Sequence, residues 1–334
     1  MSKKTPYNAF VSAVGHYFPD KTVTNKYFED YLDTTDDWIK TRTGISERRY
    51  LEKEQPTSYA AVRAARMILE KRGISAEEID LIIVTTVTPD MFYPSTAARV
   101  QKELGAKNCW GFDLSAACSG FIFGLNTAAQ FIENGTCKKV LLIGADKMTS
   151  IIDFEDRNTC VLFGDGAAGF LLEPTEDKSA GVLDSILHID GNGGEFLYQP
   201  GGGSLNPPTH ETVNRKMHFV HQDGKTVFKE AVKGMADVSA ELMERNGLKS
   251  DDVAYLVPHQ ANMRIIQATA DRMGVELDKV MINIHKYGNT TSCTIPSCVS
   301  EYFYEGKVKK GDYLILSSFG AGFTWGSVLL KWAI

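Results

Sequence analysis

No apolar run in this chain reaches the ~18 residues that a membrane-spanning helix needs. Residues 1–8 (Met-Ser-Lys-Lys-Thr-Pro-Tyr-Asn) likewise open without the apolar core of a secretory signal. Both absences point away from membrane and export, and the expected compartment is the cytoplasm. Among the six cysteines (Cys109, Cys118, Cys137, Cys160, Cys293, Cys298) there is no CxxC pair, and no His/Cys cluster has zinc spacing. Neither a metal centre nor a disulfide framework is therefore expected, and the cysteines read as free thiols in a reducing compartment. A basic excess is also missing. Lys and Arg total 36 against 42 Asp and Glu, a net charge of −6, which argues against nucleic acid as the main partner. An acidic partner would need a local basic patch. What remains is ordinary globular composition, 43% hydrophobic and 23% charged, in 334 residues that can hold one large or two fused domains.

The most informative stretch is Asp113-Leu114-Ser115-Ala116-Ala117-Cys118-Ser119-Gly120-Phe121. An apolar run with strand character, Trp110 to Leu114, gives way to small residues. Phe121, Ile122, Leu125, Ala128, Ala129 and Ile132 then recur at helical spacing, with Gly135 as the stop. Cys118 is thereby placed at or near a helix N-terminus, where unpaired N–H groups and the dipole favour a thiolate. A thiolate is the nucleophilic form, and its small neighbours leave room for a substrate. Taken alone, the residue would be read as a buried, inert cysteine, as most cysteines are.

The chain also repeats itself weakly. The segment from Leu69 to Ile82 lines up with that from Met243 to Leu256, both reading as a helix ending at glycine, a polar turn and an apolar strand; Gly73 and Gly247 are 174 residues apart. The strand Trp110–Leu114 matches Val280–Ile284, and the run from Lys139 to Gly144 matches that from Asp312 to Ser317, at offsets of 170 and 173. Two copies of a βα unit predict a layered α/β/α/β/α architecture, divided here into an N-terminal half, 1–180, and a C-terminal half, 181–334. At these offsets Cys118 maps onto Gly288, beside Asn289, and His259 maps onto Thr85. Ligands in α/β sheets gather at the carboxyl ends of strands, so Cys118, His259 and Asn289 are expected to converge on one pocket.

With these residues in view, the chain resembles β-ketoacyl-acyl-carrier-protein synthase III, the initiating condensing enzyme of the thiolase-fold superfamily, over essentially its whole length. The likeness rests on the segments Trp38 to Ile45, Glu47-Arg48-Arg49, the cysteine segment, Phe163-Gly164-Asp165-Gly166-Ala167, and Pro258-His259-Gln260-Ala261-Asn262-Met263-Arg264-Ile265. Tyr287-Gly288-Asn289-Thr290 and Ser318 to Gly326 complete the ordered set. Any one motif would be weak evidence; their joint order is strong.

The resemblance implies a thiolase-like fold and a reaction with no cofactor beyond the coenzyme A thioester used as substrate. Cys118 takes an acyl group from acyl-CoA, malonyl-acyl carrier protein is decarboxylated, and its enolate carbon attacks the thioester. His259 and Asn289 supply donors to the enolate oxygen. Without the family, a lone histidine at a strand end would be read as structural, and an Asn in a Gly-Asn turn as turn chemistry. The implied oxyanion donors are the backbone N–H groups of Cys118 and Ala321, with Ala321 replacing a glycine common in the family, and Phe319 walls the malonyl carboxylate. Implied coenzyme A contacts are Trp38 and Arg157 sandwiching the adenine, Thr34 at its edge, Arg42 at the phosphates, and Phe228 and Asn262 along the pantetheine tunnel.

For acyl carrier protein the matching basic residues are Lys229 and Arg264, with Lys225 as a further candidate. A pair that is commonly basic further along is here Asp271-Arg272. The family implies a homodimer whose loop Thr88–Pro94 carries Phe92 and Tyr93 to the acyl pocket, bulk that favours short primers. The glycine-rich stretch from Gly191 to Pro208 lacks the strand-to-helix setting of a phosphate cradle and reads as a mobile surface loop. Two rivals stand beside this reading. One is a related or specialised condensing enzyme. Of these a thiolase is disfavoured, because Ser317-Ser318-Phe319-Gly320 holds no second cysteine. The other is a non-catalytic acyl-binding protein, which should have lost Cys118, His259 or Asn289.

Overall fold

The computed structural model describes residues 7–334; residues 1–6 of the opening segment lie outside the described residues. Nine strands form two main sheets. In chain order they are β1 (Asn8–Tyr17), β2 (Leu81–Thr85), β3 (Trp110–Leu114), β4 (Val140–Asp146), β5 (Gly166–Thr175), β6 (Gly181–Ile189), β7 (Val253–Pro258), β8 (Tyr313–Gly320) and β9 (Thr324–Lys331). The first sheet runs β1-β5-β4-β2-β3, with β2 parallel to both β3 and β4; the second runs β7-β8-β9-β6, with β7 parallel to β8.

These strands are apolar on both faces because both faces are covered. Side chains alternate along a strand: Leu81 and Ile83 point to the layer between the sheets, Ile82 and Val84 to the outside. In the second sheet Leu314 and Leu316 face inward and Ile315 outward. The helices Gly120–Glu133 and Thr294–Tyr304 fill the middle layer, burying Phe121, Ile122, Leu125, Ile295 and Val299 between the sheets. Thr57–Arg72 and Thr96–Leu104 cover the first sheet, and Gly224–Arg245 and Met263–Met273 the second. This is the five-layered α/β/α/β/α arrangement of the thiolase fold.

The duplication is visible in the backbone. The helix before β2 ends at Gly73, and the helix before β7 is followed by Gly247, at φ of 73° and 66°. A short 3-10 turn follows each, Ala76–Glu78 and Ser250–Asp252, before the strand. One expected element does not form. Val280–Ile284 makes only a single bridge, Val280 to Leu256, and the chain then enters a short helix, Ile284–Tyr287. Its next backbone N–H groups are met by side chains rather than by a neighbouring strand. Ile282 donates to the Tyr302 hydroxyl at 3.3 Å, and Asn283 and Ile284 donate to Gln260 Oε1 at 3.1 and 3.2 Å.

Candidate active site

Cys118 stands just past β3, in a 3-10 turn, Ala117–Ser119, that opens the central helix Gly120–Glu133. The turn is tight: Ala117 sits in the left-handed region at φ 49°, where a side chain is disfavoured. The second half clamps it in place. Ser318 Oγ donates to the Cys118 carbonyl at 2.8 Å, and Ser119 Oγ donates to the Thr324 carbonyl at 2.9 Å. Thr324 Oγ1 lies 3.0 Å from the carbonyls of both Ala116 and Ala321, tying the cysteine turn to the turn after β8. Among the described residues the non-glycine positions with positive φ are Ala117, Lys216 and Thr291. Ala321 therefore holds an ordinary backbone conformation where glycine is common in the resembled family.

The electrostatics of the thiol depart from what the helix end alone suggests. Burial, with the Asp146 carboxylate adding to it, pushes the Cys118 thiol up to about 12. Asp146 is fully buried at the end of β4 and accepts from Thr86, Val87, Thr88 and Ser292. Desolvation of the charged form opposes the thiolate-favouring effect of the helix end.

His259 follows Pro258 at the end of β7, its N–H donating to the Ser317 carbonyl at 2.8 Å. It is 2% exposed, and burial lowers its pKa to about 3, so the ring is neutral. Its Nδ1 lies 2.7 Å from Thr294 Oγ1, at the start of the helix Thr294–Tyr304. Asn289 is fixed by its backbone: its N–H donates to Leu162 O at 2.8 Å, and its carbonyl accepts from Gly164 N at 3.0 Å. The Thr291 N–H donates to Asn289 Oδ1 at 2.9 Å, which orients the amide, and Nδ2 has no partner among the described residues.

Cys118, His259 and Asn289 line one cavity of ≈ 320 Å³, together with Phe319, Ala321, Phe228 and Asn262. Its walls are mostly apolar, with contributions from Val87, Met148, Ile151 and Met235. The Arg157 guanidinium lies 5.1 Å from the Trp38 ring and that of Arg42 lies 5.9 Å from it. Asn262 Nδ2 donates to the Arg42 carbonyl at 2.9 Å, joining this group to the cavity wall. Thr34 Oγ1 is buried without a protein partner. Arg264 stacks 5.1 Å over Phe228, and Lys229 is largely exposed beside Glu230. Arg272 is paired with Asp237 at 3.1 Å. Among the described residues no three His, Cys, Asp or Glu side chains gather as a metal site requires.

Phe92 and Tyr93, expected at the acyl pocket of a partner subunit, do not line the cavity of their own chain and are 79% and 86% exposed. Their loop is anchored by Asp90, which accepts from the Ser58 N–H and hydroxyl and pairs with Arg99, so the aromatics project outward. The glycine-rich stretch, expected as a mobile surface loop, is tied down in its first part, while residues 203–205 and 207–209 are exposed. Asp190 N–H donates to the Phe323 carbonyl at 2.8 Å, Gly193 is buried against the Phe323 ring, and Leu197–Tyr198 pairs with His221–Gln222. Leu197, Tyr198 and Gln199 thereby roof the cavity. Sequence reasoning missed these roof residues and Thr294; the hydroxyl-rich run from Thr290 to Thr294 was the available signal for the latter.

Comparison with known proteins bears on the same residues. The family model described as 3-oxoacyl-[acyl-carrier-protein] synthase III matches residues 112–191, and the model for its C-terminal part matches 243–332. The β-ketoacyl-[acyl-carrier-protein] synthase III of Chlorobaculum tepidum is 58% identical over 97% of this chain and 99% of its own. The chain belongs to this synthase III family. The crystal structure of the synthase III from Aquifex aeolicus VF5 superposes with a TM-score of 0.90 at 42% identity, covering 97% of this chain and 100% of that one. The priming β-ketosynthase of the R1128 polyketide pathway superposes at 0.91 with 34% identity, covering 100% and 98%. The matched regions of the family models hold the Cys118 turn in the first and the His259 and Asn289 turns in the second.

Proposed function

We propose that this protein condenses a short acyl-CoA primer with malonyl-acyl carrier protein, releasing carbon dioxide and giving β-ketoacyl-acyl carrier protein, the first elongation step of fatty acid synthesis. The observation that carries the reading is the convergence of Cys118, His259 and Asn289 on a single apolar cavity. In the first half-reaction Cys118 Sγ attacks the acyl-CoA carbonyl, the carbon–sulfur bond to coenzyme A breaks, and the thiol proton ends on the coenzyme A sulfur. The N–H groups of Cys118 and Ala321 hold the oxyanion. A thiol raised by burial is deprotonated only as it reacts; the charge rests on the carbonyl oxygen and passes to the departing sulfur when the carbon–sulfur bond breaks.

In the second half-reaction the malonyl carbon–carboxylate bond breaks and its electron pair forms an enolate. Nδ2 of Asn289 and Nε2 of neutral His259 donate to the enolate oxygen. Phe319, 5% exposed and packed 4.8 Å from Phe323, gives the carboxylate an apolar wall that favours its loss as carbon dioxide. The enolate carbon then attacks the acyl-Cys118 carbonyl, and the released sulfur regains a proton from solvent. Neutral donors suit this step: they stabilise developing charge without trapping it as an ion pair.

Trp38 and Arg157 form the adenine clamp, Thr34 offers its unpartnered hydroxyl to the adenine edge, and Arg42 meets the phosphates. Phe228 and Asn262 line the pantetheine path, and Lys229, Arg264 and the exposed Lys225 meet acidic acyl carrier protein. The protein acts in the cytoplasm as a homodimer, in which the outward Phe92 and Tyr93 of one subunit close the acyl end of the partner's cavity. A specialised priming role is the second reading, favoured by the likeness to the polyketide enzyme. Identity of 58% to the Chlorobaculum relative against 34% to that enzyme supports the first. Steady-state kinetics with acetyl-, isobutyryl- and octanoyl-CoA separate them. Acetyl should give the highest kcat/KM, and a clear octanoyl preference would move the protein to the specialised class.

A further inference from the structure

A neutral histidine has one ring proton, and His259 donates into the cavity only if that proton sits on Nε2. Its other nitrogen, Nδ1, faces the Thr294 hydroxyl at 2.7 Å. That hydroxyl has a single proton and a second acceptor in reach, the Thr291 carbonyl at 3.1 Å. Two arrangements satisfy the valences. In one, Thr294 donates to Nδ1 and Nε2 carries the proton. In the other, Thr294 donates to Thr291, Nδ1–H donates to Thr294, and Nε2 is a bare acceptor unable to stabilise an enolate.

The geometry separates them. Hydroxyl donors lie about 2.5–3.0 Å from an oxygen acceptor, most often 2.7–2.8 Å, and N–H donors about 2.7–3.2 Å, most often 2.9–3.0 Å. The ring contact at 2.7 Å has the length of a hydroxyl donating, and the 3.1 Å approach to Thr291 is long for the same donor. Thr294 is 1% exposed, so water does not compete for the hydroxyl. Thr291 joins the two enolate donors: its carbonyl is the rejected acceptor, and its N–H orients the Asn289 amide. It does so from a left-handed backbone, φ 55°, that a β-branched residue adopts only under constraint.

We infer that Thr294 is the positioning residue that fixes His259 as the Nε2–H tautomer by donating its hydroxyl proton to Nδ1. This rests on the function proposed above, because the tautomer matters only if His259 donates to a malonyl-derived enolate. The device works through the histidine and leaves cysteine acylation alone.

The test joins a spectroscopic and a kinetic readout. With 15N-labelled histidine, the His259 ring signals are assigned among the seven histidines by their loss in His259→Ala. Wild-type protein should show Nδ1 unprotonated and Nε2 protonated; a protonated Nδ1 overturns the inference whatever the variants do. In Thr294→Val the bias is lost. Malonyl decarboxylation should fall on the order of tenfold, less than the 10²–10³ expected for losing the donor outright, while acylation of Cys118 by acetyl-CoA stays at wild-type rate. Thr294→Ser keeps the hydroxyl and should restore both the tautomer and the rate. Equal loss of acylation and decarboxylation in Thr294→Val, or no loss in either, contradicts the assignment. If Thr294→Val does not fold, the wild-type spectrum and the serine variant decide it. A wild-type protein that never acylates refutes the proposed function instead, and the nitrogen spectrum still reports on Thr294.

Discussion

The Gly320 backbone lies directly against Cys118: a β-carbon at position 320 would come within 2.7 Å of the Cys118 nitrogen and 3.1 Å of its Cβ. The strand end that carries Phe319 and Ala321 is thus in van der Waals contact with the nucleophile's own peptide. Gly320→Ala should displace one of the two oxyanion donors. A misplacement of ~1 Å costs about 10²-fold in rate, so acylation should fall by that order, and because the clash is with backbone the melting temperature should fall as well, by overpacking of ~1–3 kcal/mol. An unchanged acylation rate in single-turnover measurements contradicts this placement.

The donors divide the reaction. Cys118→Ala should abolish condensation yet leave malonyl decarboxylation measurable, because that step uses His259 and Asn289. His259→Ala and Asn289→Ala should each slow decarboxylation by about 10²–10³ and spare acetylation of Cys118. Separate assays of acyl transfer and carbon dioxide release check the division; equal impairment of both steps would show the roles wrongly assigned.

Two pH dependences follow from burial. With the Cys118 thiol held near 12, the reactive thiolate fraction grows with pH throughout the working range. Alkylation of the free enzyme by iodoacetamide should keep rising past pH ~10 without levelling near neutrality; a plateau near pH ~7 would mean the helix end prevails over desolvation. His259 works in the other direction. Its folded value, about 3, lies below its ordinary 6.5, so the unfolded chain takes up a proton that the native ring refuses. This contribution to stability is complete above pH ~6.5 and is lost as pH falls below it. Urea midpoints between pH 5 and 8 should show the slope, reduced in His259→Gln.

Trp38→Ala should raise KM for acetyl-CoA and leave kcat nearly unchanged. An exposed cation–π contact is worth roughly 0.5–1 kcal/mol, so a two- to fivefold rise is expected, plus whatever stacking on the base adds. A fall in kcat at constant KM would place Trp38 elsewhere in the reaction.

The helix ends at Gly73 and Gly247 and the doubly apolar strands were legible because local chemistry alone sets them. Val280–Ile284 was not, since what satisfies its backbone comes from Gln260 and Tyr302, remote side chains that no local pattern announces. The nucleophile was legible from its small neighbours and its place before a helix. Its charge state was not, because burial is a property of the packed whole, in which Asp146 lies inside the same core. Glycines between Gly191 and Gly203 read as freedom, yet Gly193 is glycine because the Phe323 ring occupies the space of a side chain. Phe92 and Tyr93 point away from their own cavity, as a loop serving a partner subunit would.

The aromatic loop carries the prediction for assembly. Light scattering at micromolar concentration should give a dimer, and Phe92→Ala or Tyr93→Ala should raise kcat/KM for longer acyl-CoA primers relative to acetyl-CoA. A monomer, or an unchanged primer profile, contradicts a loop that closes the partner's cavity.

Intact-protein mass spectrometry across one turnover tests the central claim most directly. After mixing with acetyl-CoA, the protein should gain one acetyl group, mapped to Cys118. Adding malonyl-acyl carrier protein should remove it as acetoacetyl-acyl carrier protein forms. An unmodified Cys118, or an acetyl group that malonyl-acyl carrier protein leaves in place, would contradict the account.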